Sequence, residues 1–326
     1  MREVTFRKQN EDRWKKMEAM LATPSKINPD EMSGLYIQLT DDLSYARTFY
    51  PESPTTSFLN HLSGQVHQRL FKTKKQTFKN VVRFWVHGLP SIMAHRRKEL
   101  AISFVIFFIS AVIGVFSASR DERFVRVIMG DDYVNRTLEN INKGKPMAVY
   151  DSMGEGEMFF MITLNNIRVS FFAFAAGVFA SFGTGYLLFS NGVMLGAFQY
   201  FFYQKGYLLD SVLSIWVHGV PEISAIIIAG AAGLVLGNSL LFPGTFTRLE
   251  SFRQGARDGS RIITGLIPVF IIAGFLESFV TRHANIVPLA SACIILTTSG
   301  LVIWYFVIYP HKFTHLNIEN HVRNQP

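Results

Sequence analysis

His218 and Glu222 stand four residues apart in the stretch WVHGVPEISA, residues 216–225. That interval places both side chains on one face of a helix. An imidazole and a carboxylate held together can bind a proton, a cation or a polar headgroup. At membrane depth such residues are costly unless they face protein or water, so the pair is the chain's leading candidate for a polar site. Arg168, Glu277 and Asp210 are ionisable candidates of the same region. The ten residues nearly recur as WVHGLPSIMA at 85–94, where seven positions agree and Ser91 takes the place of Glu222. Within the motif, Gly219 suits a left-handed helix end, Pro221 the first turn of a following helix, and Glu222 its positive terminus. The motif therefore reads as an elbow joining an interfacial helix, anchored by Trp216, to a membrane span.

Other chemistry is absent from the sequence. It has no Gly-rich phosphate loop, no Gly-x-Ser-x-Gly elbow and no His-Glu-x-x-His zinc signature. Cys293 is the chain's one cysteine, so neither a disulfide nor a thiolate cluster arises. The carboxylates of GDDYVN (130–135) and DSMGEGE (151–157) lack a partnering base. His61 and His67 read as solvated side chains on a surface helix. The expectation is no enzyme, no cofactor and no metal.

The elements that would position these residues are membrane helices. The chain has 326 residues, 49% hydrophobic and 17% charged. Its apolar runs approach the roughly 20 residues needed to cross about 30 Å of hydrocarbon. The spans are expected near 100–118, 167–189, 191–204, 222–241, 262–280 and 288–309, with Asn191 and Gly192 marking a helix break capped by the Asn. Residues 67–99 carry nine Lys or Arg against one acidic residue, and 242–261 carry Arg248, Arg253, Arg257 and Arg261. By the positive-inside rule both flanks are cytoplasmic, which requires an even number of crossings between them. Both termini then lie inside, in a bacterial inner (plasma) membrane protein. Its regions would be a cytoplasmic helical part at 1–98, a transmembrane domain at 99–310 and a cytoplasmic tail at 311–326.

The N-terminal part reads as three helices: 5–22, a second opening at Asn28-Pro29-Asp30-Glu31 with Met32, Leu35, Tyr36, Leu39, Leu43, Ala46, Phe49 and Tyr50 on one face, and a third bearing Phe58, Leu59, Leu62, Val66 and Leu70. The net charge of +8 fits anionic lipid headgroups beside the membrane better than nucleic acid, for which no reading motif is present. Two small-residue stripes repeat every four residues: Ala173, Gly177, Ser181, Gly185 and Ala225, Ala229, Gly233, Gly237. Such stripes let helices approach closely, within one bundle or across a homodimer. The two ten-residue motifs, three crossings apart, also suit an inverted repeat of three plus three helices, a plan common in transporters. Arg168 and Arg261, each opening the second helix of its half, agree with that plan.

Across residues 95–310 the sequence resembles the stage II sporulation protein M family of bacterial integral membrane proteins. The resemblance rests on NNIRVSFFAFAAGVFASFGTGYLLFSNGVMLGAF, on HGVPEISAIIIAGAAGLVLG, and on their order. It implies an all-α multi-span membrane protein without a catalytic role. Sporulation members act with peptidoglycan-remodelling partners, so membrane or envelope proteins are the partners it implies. The family pattern falls on Asn191, Gly192, Gly196, His218, Gly219, Glu222, Gly233 and Gly237. A long N-terminal region and the connection at 119–165 set this chain apart from those members. Two functions follow as expectations: a non-catalytic scaffold for envelope-remodelling proteins, or a transporter or lipid translocator using His218 and Glu222.

Overall fold

The structure, a computed structural model, describes residues 2–22, 29–70, 78–144, 154–281 and 287–313. The described elements are helices, and the chain divides into two compact units, Met1–Thr77 and Phe78–Pro326. The first contains α1 (Glu3–Ala22), α2 (Pro29–Phe49) and α3 (Pro54–Leu70). Three- and four-residue spacing brings Phe6, Trp14 and Met17 of α1 onto Met32, Leu39, Leu43 and Ala46 of α2 and Leu59, Leu62 and Val66 of α3. Phe49 and Phe58, expected on the apolar stripes, are instead exposed. Inside this unit Asp42 accepts from Trp14 Nε1 at 2.8 Å and from Arg13 Nη2 at 2.6 Å. Asn28 lies outside the described residues, as does the side chain of Leu70.

The second unit begins with α4 (Phe78–Arg83), a wide π turn over Phe84–Gly88 and α5 (Leu89–His95). Next come α6 (Arg97–Arg120), α7 (Glu122–Met129), α8 (Asp131–Asn142) and α9 (Glu155–Ala175), the last ending in a tight turn at Ala176–Val178. α10 (Phe182–Gln204), α11 (Leu208–Leu241), α12 (Arg248–Phe275), continued by a π turn at Leu276–Thr281, and α13 (Pro288–Ile303), continued by one at Trp304–Ile308, complete it. Among the described residues, five helices are long and apolar enough to cross a membrane: Arg97–Arg120, Glu155–Val178, Leu208–Leu241, Arg248–Thr281 and Pro288–Phe313. α10, 23 residues long, lies among them, parallel to α6 and antiparallel to α11. The contacts make chain direction alternate through α6, α9, α10, α11, α12 and α13. α11 is the central helix, touching α6, α9, α10, α12 and α13. Its 34 residues span roughly 50 Å, more than the bilayer core requires.

With lipid as apolar as leucine, what holds this bundle is close approach through small residues. The two stripes foreseen in the sequence face each other inside the one chain. A Cβ on Gly177 would strike the Gly233 carbonyl, and one on Gly233 would strike Thr184 Oγ1 and come within 2.5 Å of the Ala173 carbonyl. A Cβ on Gly237 would strike Ser181. Gly185 takes no part, having open space where its Cβ would be. A second close pair joins α6 and α10, where Gly114, Gly192 and Gly196 abut backbone of the facing helix.

Two expectations about helix breaks are corrected here. The break between α9 and α10 falls at 179–181, with Ala180 (φ 50°) and Ser181 (φ 68°) left-handed, so the expected span 167–189 is really two helices. Asn191 and Gly192 lie instead in mid-helix: Asn191 Nδ2 donates to the Leu187 carbonyl at 2.8 Å, and Gly192 makes room for α6. The physical reason is tertiary, because turning at 179–181 sets Gly177 and Ser181 against α11. The connection at 119–165 holds α7 and α8, which bury Val125 and Val134 against Ala118, Ala197, Phe201 and Phe202. Residues 145–153 lie outside the described residues.

The motif at 216–225 forms no elbow. α11 runs through it with Pro221 inside the helix, and Gly219 is helical, without a positive φ. In the first copy, Trp85–Gly88 belongs to the π turn, where Leu89 N–H reaches back to the Phe84 carbonyl. The Trp85 and Val86 carbonyls accept from Tyr305 Oη at 2.6 Å and Tyr309 Oη at 3.1 Å. Residues 78–95 thus belong to the bundle, which begins earlier than the expected boundary at 98/99. Partner choice also differs between the halves. α6 runs along α10, whereas its counterpart in an inverted repeat, α11, packs chiefly on α12. The repeated words share sequence but not surroundings.

Candidate functional site

His218 and Glu222 are one turn apart on α11, as their spacing requires. Gly219 and Pro221 lie buried between them. The π turn that ends α12 widens the helix and carries Glu277, Ser278 and Thr281 inward, all buried. His218, 3% exposed, has Nδ1 at 3.0 Å from Thr281 Oγ1 and Nε2 at 3.9 Å from Glu277 Oε1. One ligating atom from each of His218, Glu222 and Glu277 lies within 4.8 Å of the others. Asn166 on α9, 6% exposed, faces Glu222, its amide interacting with that carboxylate without a well-formed hydrogen bond. One imidazole and two carboxylates thus converge at a junction of three helices, where the end of α12 meets the middle of α9 and the first half of α11.

Glu277, a weaker candidate in the sequence, is central here. Arg168 is not part of the site: it is exposed, with its guanidinium 5.5 Å from the Phe172 ring. Asp210 is exposed as well, and Asn191 bonds within its own helix. His61 hydrogen-bonds Gln65 at 2.9 Å and His67 contacts Tyr36 Oη at 3.1 Å, both on the exterior of the first unit. His87, the counterpart of His218, is exposed and lies edge-on to Phe313 at 6.0 Å. Sequence reasoning missed Asn166, Thr281 and Ser278. Thr163, Asn166 and Ser170 lie at helical spacing on the buried face of α9, a polar stripe in an apolar run that carried the signal.

Fold and site together define an all-α polytopic membrane protein with a polar cluster buried within its bundle. The chain belongs to the Stage II sporulation protein M family, whose profile matches residues 103–282, more than half of its length. A second profile, a domain of unknown function (DUF8413), matches residues 4–72 and so coincides with the three-helix unit. No curated protein and no solved structure matches the chain.

Proposed function

We propose that this protein is a non-catalytic scaffold of the bacterial plasma membrane that gathers envelope- or cell-wall-remodelling proteins. One observation carries the reading. The three-helix unit closes its own apolar core, yet leaves between α1 and α3 a cavity of ≈ 330 Å³ lined by Arg7, Glu11, Trp14, Lys15, Glu18 and Phe58. Alternating charges around the exposed Phe58 suit a helix of complementary charge, with Phe58 as the apolar anchor. The α7–α8 pair offers a second surface outside the hydrocarbon. Membership of the family supports a membrane protein of this kind, and the Arg-rich flanks favour cytoplasmic termini by the positive-inside rule.

The test is brief cross-linking in native membranes followed by purification of the full-length protein. The expected result is an envelope protein in fixed ratio, recovered at least about tenfold less with Phe58→Glu, as for loss of a buried anchor. A wild-type protein that purifies alone under the same cross-linking overturns the scaffold. The convergence of His218, Glu222 and Glu277 favours a second reading, movement of an ion or lipid across the membrane. Vesicles holding the purified protein would then show flux that Glu222→Gln abolishes.

A further inference from the structure

We propose that His218, Glu222 and Glu277 form a binding site for a divalent cation of the zinc or manganese kind, clamping α11 to the end of α12. The inference stands apart from the scaffold reading and needs no partner. Carboxylate and imidazole are the two side-chain types that ligate first-row divalent ions through oxygen and nitrogen. Their atoms, within 4.8 Å of one another, need to close to about 3.4 Å for a tetrahedral ion with ligands at about 2.1 Å, a change within rotamer reach. Thiolate, which would favour copper(I), is not among the clustered ligands, and Cys293 is exposed on α13.

Three further features point to an ion rather than to incidental acids. His218 is oriented as metal-bound histidines are: one ring nitrogen is occupied by a hydroxyl, Thr281 Oγ1, and the other is directed at the carboxylates. Asn166, 94% buried by its 6% exposure, holds its amide against the Glu222 carboxylate but short of a well-formed hydrogen bond. Turned about its last torsion, that amide presents Oδ1 as a fourth ligand, and the two orientations differ only in the assignment of O and N. Finally, a buried carboxylate, Glu277, and a half-buried one, Glu222, lie together, and no Lys or Arg forms an ion pair with either among the described residues. A divalent cation supplies the missing positive charge where burial makes its absence costly. Glu222, half-buried, marks the side of approach.

Full-length protein, purified in detergent through a non-metal affinity tag, is analysed for metals and melted with and without a chelator. The expected outcome is about one zinc or manganese per chain, with a melting temperature that falls on chelation and recovers with Zn2+ or Mn2+ but not Mg2+. His218→Gln and Glu277→Gln, which keep a polar group of similar size, should cut occupancy at least about tenfold, as losing one ligand does. Cobalt(II) loaded in place of zinc should give visible d–d bands that vanish in the His218→Gln protein. Wild-type protein that melts cooperatively, holds no metal, and ignores Zn2+, Mn2+ and Co2+ overturns the proposal. Equal metal content in wild type and in the His218→Gln, Glu277→Gln double variant also overturns it, since binding would then lie elsewhere. If a variant fails to fold, the wild-type chelation and cobalt measurements still decide.

Discussion

At the scale of single residues, Gly219 separates two accounts of the motif that drew attention first. In an elbow it would need a left-handed backbone, and alanine there would cost about 1–2 kcal/mol. In the continuous α11 an added Cβ meets only Ile215 and Ile223 at 3.9 Å. Gly219→Ala should therefore leave the melting temperature unchanged or raise it by the helix preference of alanine, up to about 1 kcal/mol. Asp42 gives a second residue-scale outcome. Asp42→Ala strands the buried indole N–H of Trp14 and should cost about 1–3 kcal/mol, read as faster amide exchange in Glu3–Ala22 with the membrane helices unaffected. The pairing of His218 with Glu222 was legible because their spacing is a property of one helix. Glu277, Thr281 and Asn166 were not tied to them, because nothing local states where three helices meet.

At the scale of elements, the two small-residue stripes were legible as close-packing faces, and their mutual contact is what the structure adds. Gly233→Ala forces a methyl group onto Thr184 and the Ala173 carbonyl, and should lower stability by about 1–3 kcal/mol or more. Gly185→Ala, in the same sequence pattern but facing open space, should be harmless, with both effects measured as thermal midpoints in one detergent. The break between α9 and α10 was illegible for a physical reason. Phe179, Ala180 and Ser181 carry no proline or glycine signal, and their left-handed turn is imposed by docking on α11. Ala180→Gly should relieve that conformation and raise stability by about 1 kcal/mol. Asn191 and Gly192 misled in the opposite direction: a dipeptide that reads as a turn serves a helix crossing when a neighbouring backbone, here that of α6, must come close.

At the scale of the whole molecule, apolar run length made the membrane helices legible, while their order of contact arose from packing. The alternating direction of α6, α9, α10, α11, α12 and α13 brings the first half of α11 beside the end of α12, and that coincidence creates the site. Cys293 is the sole native cysteine, so a Cys293→Ser background permits paired cysteines to report the arrangement in native membranes. His218→Cys with Thr281→Cys is the most direct measurement, because these side chains touch at 3.0 Å although 63 positions separate them. A short bifunctional thiol reagent should join that pair within one chain, and join Arg168→Cys with Thr281→Cys far less, since Arg168 lies on an exposed face. Efficient cross-linking of the Arg168 pair with none between positions 218 and 281 would contradict the bundle and the site built on it.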